Sequence, residues 1–180
     1  MNGNRCPFLF IGRLSREKGV DYLIETFQSN GLDLLIGGDG PLKQDVTEAC
    51  KRFPRIQYLG SLTKEQVQQQ MQRCTALIFP SIWYEGMPIT LIEAFAAGLP
   101  IIAGNLGVMS SMIRDGYNGL LFEAGNSLDL ASKVAEWQSK SPAEKEQFSK
   151  NARQTYLDNY TPEKNSIQLL SIYRSVIDKR

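Results

Sequence analysis

Two carboxylates, Glu85 and Glu93, carry the strongest chemical signal in this sequence. They lie in the run Pro80-Ser81-Ile82-Trp83-Tyr84-Glu85-Gly86-Met87-Pro88-Ile89-Thr90-Leu91-Ile92-Glu93-Ala94. Glu85 falls in a Gly/Pro loop after an apolar run, and Glu93 falls about one turn into the helix expected to follow, so that both face one crevice. An ionised carboxylate accepts two hydrogen bonds side by side, which suits the paired hydroxyls of a ribose. Each acid also has a plainer use. Thr90-x-x-Glu93 matches a capping box that satisfies a helix N-terminus, and Glu85 fits a solvated loop acid.

A second cluster lies in Phe10-Ile11-Gly12-Arg13-Leu14-Ser15-Arg16-Glu17-Lys18-Gly19. A strand ending at Gly12, the guanidinium of Arg13 and a lysine, Lys18, at a helix start bring backbone approach, helix dipole and two cations together. That combination receives a diphosphate. A solvated basic turn is the alternative. Gly37-Gly38-Asp39-Gly40-Pro41 either carries a backbone close to a nucleotide or makes a tight turn. It is not the dinucleotide fingerprint, because the third glycine is missing and the segment is not the first strand-to-helix turn. Tyr117-Asn118-Gly119 reads as a turn without chemistry.

The composition narrows the chemistry. The 180 residues suffice for one domain with a substantial core, and 20 basic against 19 acidic residues, well mixed, leave no nucleic-acid or membrane footprint. The chain contains no histidine, which removes Ser-His and Cys-His catalysis and histidine-bearing metal sites from it. No Asp-x-Asp pair or Cys/His cluster offers a metal site, so carboxylates, Arg/Lys and backbone dipoles must do the work. Cys6, Cys50 and Cys74 are widely spaced and read as reduced thiols of a cytoplasmic protein. The apolar stretch from Cys6 to Ile11 is too short for a secretory segment, and no run approaches the roughly 18 apolar residues of a membrane span.

These groups need elements to position them. Continuous apolar runs at Phe8–Ile11, Leu32–Ile36, Ile56–Leu59, Ala76–Phe79, Ile101–Ala103 and Leu120–Phe122 predict strands buried on both faces, as in a parallel sheet. Between them, Val20, Leu23, Ile24 and Phe27 follow helical spacing. So do Val67, Met71 and Cys74, behind a Thr63-x-x-Gln66 capping box, and Leu130, Val134 and Trp137. The alternation predicts an α/β fold, a Rossmann-like doubly wound parallel sheet of about six strands in a single domain. Lys140 to Lys150 reads as a solvated helix, and 163–180 as a terminal helix bearing Ile167, Leu170, Tyr173 and Val176.

Taken together, the segments resemble the C-terminal, nucleotide-sugar-binding domain of family 4 retaining glycosyltransferases of the two-Rossmann-domain (GT-B) type. The likeness rests on Phe10-Ile11-Gly12-Arg13-Leu14 with Glu17-Lys18-Gly19, on Gly38-Asp39-Gly40-Pro41, and on Pro80-Ser81 leading to Glu85-Gly86-Met87-Pro88 and Glu93-Ala94. It continues through Gly98-Leu99-Pro100-Ile101-Ile102-Ala103 and Asp115-Gly116-Tyr117-Asn118-Gly119-Leu120-Leu121, covering roughly 7–135 in order. Many relatives carry a Pro-Glu pair where this chain has Ser110-Ser111.

The resemblance implies roles. Arg13 and Lys18, beside Gly12, would hold the donor diphosphate and stabilise it as leaving group. Glu93 would bind the ribose hydroxyls, and Glu85 would face the donor sugar beside the Gly86, Met87 and Pro88 backbone. The loop from Leu59 to Leu62 would flank the base. The donor would be a UDP- or GDP-sugar, with no obligatory metal or other cofactor. Such enzymes place the acceptor site in an N-terminal Rossmann domain, which is the expected partner and the route of any peripheral membrane association. The chain is thus expected to span 1–180 as one half of a GT-B fold, its terminal helix made to pack on the other half. Alternatives are a nucleotide-binding module without turnover and half of a GT-B-like epimerase or phosphorylase.

Overall fold

A computed structural model describes residues 6–177. Six strands, β1 (Phe8–Ile11), β2 (Leu34–Gly37), β3 (Ile56–Gly60), β4 (Ala76–Phe79), β5 (Ile101–Gly104) and β6 (Gly119–Phe122), form one sheet. All pairings are parallel, in the order β3-β2-β1-β4-β5-β6. The order reverses between β1 and β4. The connections leaving the C-terminal ends of these two strands lead to helices on opposite faces of the sheet, which marks the switch point at which doubly wound sheets bind ligands.

The helices are α1 (Val20–Asn30), α2 (Lys43–Arg52), α3 (Lys64–Arg73), α4 (Ile89–Ala96), α5 (Val108–Met112), α6 (Ser127–Ser139), α7 (Pro142–Asn159) and α8 (Pro162–Ile177). Alternate strand residues feed two cores. Phe8, Phe10, Ile78 and Ile102 pack with α1 and α6, whereas Leu9, Leu77, Phe79 and Ile101 pack with α4 and α5. Burial on both faces explains the unbroken apolar runs. The helical stripes Val20-Leu23-Ile24-Phe27 and Leu130-Val134-Trp137 are buried, and the Thr63/Gln66 capping box forms on α3.

Two expectations about the elements need correction. β2 begins at Leu34, not Leu32, because Gly31 ends α1 in the left-handed region (φ 63°) and the Leu32 N–H donates to Asn30 Oδ1, holding Leu32 in the connection. The segment from Lys140 to Lys150 is not merely a solvated helix. It opens α7, capped by a Ser141/Glu144 box, and Phe148 and Ala152 are buried where α7 meets the rest of the fold. Its apolar stripe starts only at Phe148 and runs on through Ala152 to Tyr156 and Tyr160, the last stacking on Phe95 of α4 at 6.2 Å.

The terminal helix, α8, buries none of its residues, and Ile167, Leu170, Tyr173 and Val176 are 54–64% exposed. Residues 178–180 of the expected helix lie outside the described residues, as do 1–5. Cys6, Cys50 and Cys74 are free thiols, and burial pushes the Cys74 thiol up to about 12. Among the described residues no helix is long and apolar enough to cross a membrane.

Candidate active site

The turn after β1 is shaped by its close approach to the loop after β4. Gly12 leads through exposed Arg13 and buried Leu14 to a single 3₁₀ turn, Arg16–Lys18, and Gly19 then takes a left-handed conformation (φ 71°). A side chain at Gly19 would meet the Pro80 carbonyl and the Tyr22 ring, so glycine is required by both conformation and space. The contact is reinforced by the Ile82 N–H, which donates to the Glu17 carbonyl at 3.0 Å. Lys18 therefore sits in the 3₁₀ turn before α1, not at the start of a helix as expected. Its role rests on its own charge and reach rather than on the α1 dipole.

That reach brings it to Glu85. Lys18 Nζ lies 2.5 Å from Glu85 Oε1, with side-chain exposures of 26% and 14%. Ser81 Oγ donates to the same oxygen at 2.6 Å, and the ammonium lies 6.0 Å from the Phe79 ring centre. Arg13, Lys18, Ser81, Glu85 and Thr90 line one cavity of about 290 Å³ at the β1/β4 switch point, with Gly12, Met87 and Pro88 also in its wall. Gly86 is exposed in the loop between Glu85 and Met87, with open space where a side chain would stand.

Glu93 occupies a different hollow. It lines a groove of about 980 Å³ between α3, α4, α7 and α8, together with Lys64, Arg153 and Tyr156. The two carboxylates thus do not share one cavity. Their hollows adjoin, with Met87 and Ile89 lining both. The Thr90/Glu93 capping box does not form. α4 begins at Ile89 behind Pro88, which places Thr90 inside the helix, and no side chain caps this end. Glu93 is therefore half-buried with no capping duty.

Leu62 lies outside the lining of both hollows. A Cβ on Gly37 would stand 2.9 Å from Leu62 Cδ1 and 2.7 Å from Ile11 Cδ1, so Leu62 sits one side chain behind the cavity wall, over the end of β2. Gly38, at φ 140°, brings its loop against the Gly12 carbonyl. Ser110 and Ser111 are exposed on α5, their hydroxyls donating to the Gly107 and Val108 carbonyls, and take no part in either hollow. Tyr84 packs against Gly107, tying the loops after β4 and β5 together. Two further side chains, Ser81 and Thr90, join the cavity without a role legible in the motifs. For Ser81 the available signal is a hydroxyl two positions past a strand end and four before Glu85.

The sequence pattern described as "Glycosyl transferases group 1" matches residues 2–155. The chain belongs to this family. Among similar proteins, one named an uncharacterized glycosyltransferase, from Methanocaldococcus jannaschii, is 33% identical over 130 residues, covering 71% of this chain and 37% of the relative. Sucrose-phosphate synthase from Thermosynechococcus elongatus superposes with TM-score 0.85 at 22% identity, over 99% of this chain and 47% of that one. The Anabaena protein HepE, solved in complex with UDP-glucose, gives 0.83 at 20% identity, over 96% and 49%. The match is to one Rossmann-like half of a GT-B architecture. This chain thus spans about half, or less, of the length of each of these three proteins.

Proposed function

We propose that this chain is the donor-binding half of a retaining glycosyltransferase that moves a sugar from a UDP- or GDP-sugar to an acceptor hydroxyl. The observation that carries the reading is the convergence of Arg13, Lys18 and Glu85 in one cavity at the switch point of the sheet. Two cations there suit a diphosphate, and charge-assisted hydrogen bonds to it contribute roughly 1.5–3 kcal/mol each. Their catalytic value lies in meeting the negative charge that grows on the diphosphate as the glycosidic bond breaks.

Glu85 lies beside these cations and is assigned to the donor sugar; Glu93, free of capping, is assigned to the ribose, reached across Met87 and Ile89. Leu62, behind the cavity wall, is assigned to the base side through its backbone loop rather than through the cavity lining. In retaining transfer of this kind the diphosphate leaves from the face the acceptor approaches, so the protein contributes position and charge rather than a nucleophile. A second Rossmann-like domain would supply the acceptor hydroxyl, with the exposed apolar face of α8 available to meet it. No metal is assigned to the reaction.

A thermal-shift screen with UDP, GDP, ADP and their sugars tests the reading, since a ligand of the folded state alone raises its stability by RT ln(1 + [L]/Kd). At least one nucleoside diphosphate should raise the melting temperature, and no shift with any of them would refute the assignment. The isolated chain should show at most slow donor hydrolysis. Proximity of the two reactants contributes on the order of 7–11 kcal/mol, and on this reading that contribution comes from the second Rossmann-like domain.

A further inference from the structure

Two donors end on one oxygen of Glu85. Lys18 Nζ and Ser81 Oγ lie 2.5 and 2.6 Å from Oε1, whereas Oε2 has no protein hydrogen bond among the described residues. The donors differ in what they do when a ligand arrives. Lys18 carries a full charge on a flexible stem, is a quarter exposed, and shares its cavity with Arg13, so a diphosphate competes with Glu85 for it. Ser81 lines the same cavity, but it is 1% exposed in the loop just after β4, uncharged and on a one-carbon stem that cannot follow a ligand. Its single hydroxyl hydrogen has one other acceptor among the described residues, the Glu17 carbonyl at 3.2 Å; the shorter distance and the negative charge both favour Glu85. The Trp83 N–H donates to the same Oγ at 3.3 Å, which leaves the hydroxyl hydrogen free for the carboxylate.

From this asymmetry we infer that Ser81 is a positioning residue for Glu85, holding the carboxylate by Oε1 and leaving Oε2 for a hydroxyl of the donor sugar once Lys18 has moved to the diphosphate. The inference rests on the donor-site reading above. With Lys18 engaged by phosphate, Ser81 is the anchor that remains, and without it Glu85 must be ordered at the moment of binding, which weakens the contact it makes. Arg13 and Lys18 keep their phosphate contacts in either case. The effect of losing Ser81 therefore falls on the sugar and spares the nucleoside diphosphate.

Calorimetric titration of this chain and its Ser81→Ala variant with UDP and UDP-glucose, GDP and GDP-mannose, and ADP and ADP-glucose tests this. For the pair that the unsubstituted chain binds, Ser81→Ala should keep the nucleoside diphosphate affinity within about twofold and lose about tenfold or more for the nucleotide sugar, as expected for one hydrogen bond to a charged group. Ser81→Cys, nearly isosteric but a weak donor, should lose in the same direction. Equal losses for both ligands would mark Ser81 as a purely structural tie to the Glu17 turn and overturn the inference, as would no loss for either. An unsubstituted chain that binds none of the six ligands would overturn the donor-site reading itself, and this inference with it.

Discussion

Lys18 and Glu85, 67 positions apart, form an ion pair that joins the turn after β1 to the loop after β4. The pair is mostly shielded from water, and the Ile82–Glu17 and Gly19–Pro80 contacts bring its two segments together. It therefore pre-assembles the cavity before any ligand enters.

If the pair binds the two loops, its members should not act independently on stability. A double-mutant cycle with Lys18→Ala and Glu85→Ala, measured by urea unfolding, should give a coupling of about 1 kcal/mol, above the low end for fully exposed pairs. Additive effects would show that the contact contributes nothing to folding.

The close approach of the two loops depends on Gly19. Gly19→Ala combines a left-handed backbone with a clash against the Pro80 carbonyl and the Tyr22 ring, and should cost about 2–4 kcal/mol in the same unfolding assay. A variant as stable as the parent would mean that the turn lies further from β4 than described.

Glu93 separates a binding role from a structural one. Because it caps nothing, Glu93→Ala should change stability by less than about 0.5 kcal/mol, while the loss of charge-assisted bonds to ribose should weaken nucleotide binding about tenfold. Unchanged affinity would remove it from the site.

Cys74 reports on the packing beneath the sheet. With its thiol pushed up to about 12 by burial, the thiolate fraction at pH 8 is minute, and alkylation by iodoacetamide should proceed far more slowly than at exposed Cys6. The rate should rise about tenfold per pH unit up to that value. Mass mapping of rapid labelling at Cys74 at pH 8 would contradict its partial burial against the core.

What the sequence made legible follows from what it had to bury. Strands such as Ala76–Phe79 are covered on both faces, so their apolar runs are unbroken and their positions read directly. The α7 contact was hidden because part of its buried stripe is an alanine, Ala152, and because that stripe starts only at Phe148, late in a charged segment. The capping box read at Thr90 does not form: the motif fits any Thr three positions before a Glu, whereas the helix starts at Ile89 behind Pro88, two residues too early for Thr90 to cap it. The cations and carboxylates could be named from motif and spacing. Which of them share a cavity is set by strand order, and the Lys18–Glu85–Ser81 cluster joins segments that no local pattern connects.

The claim that the β1/β4 cavity receives a donor diphosphate is tested most directly by titrating a nucleoside diphosphate, and the corresponding nucleoside, into this chain and its Arg13→Ala variant. Arg13 makes no salt bridge among the described residues, so its removal should leave the fold intact. The account predicts that Arg13→Ala weakens diphosphate binding by about tenfold or more, the value of one charge-assisted hydrogen bond, and leaves nucleoside binding unchanged. Equal losses for both ligands, or an unaltered diphosphate affinity, would contradict it.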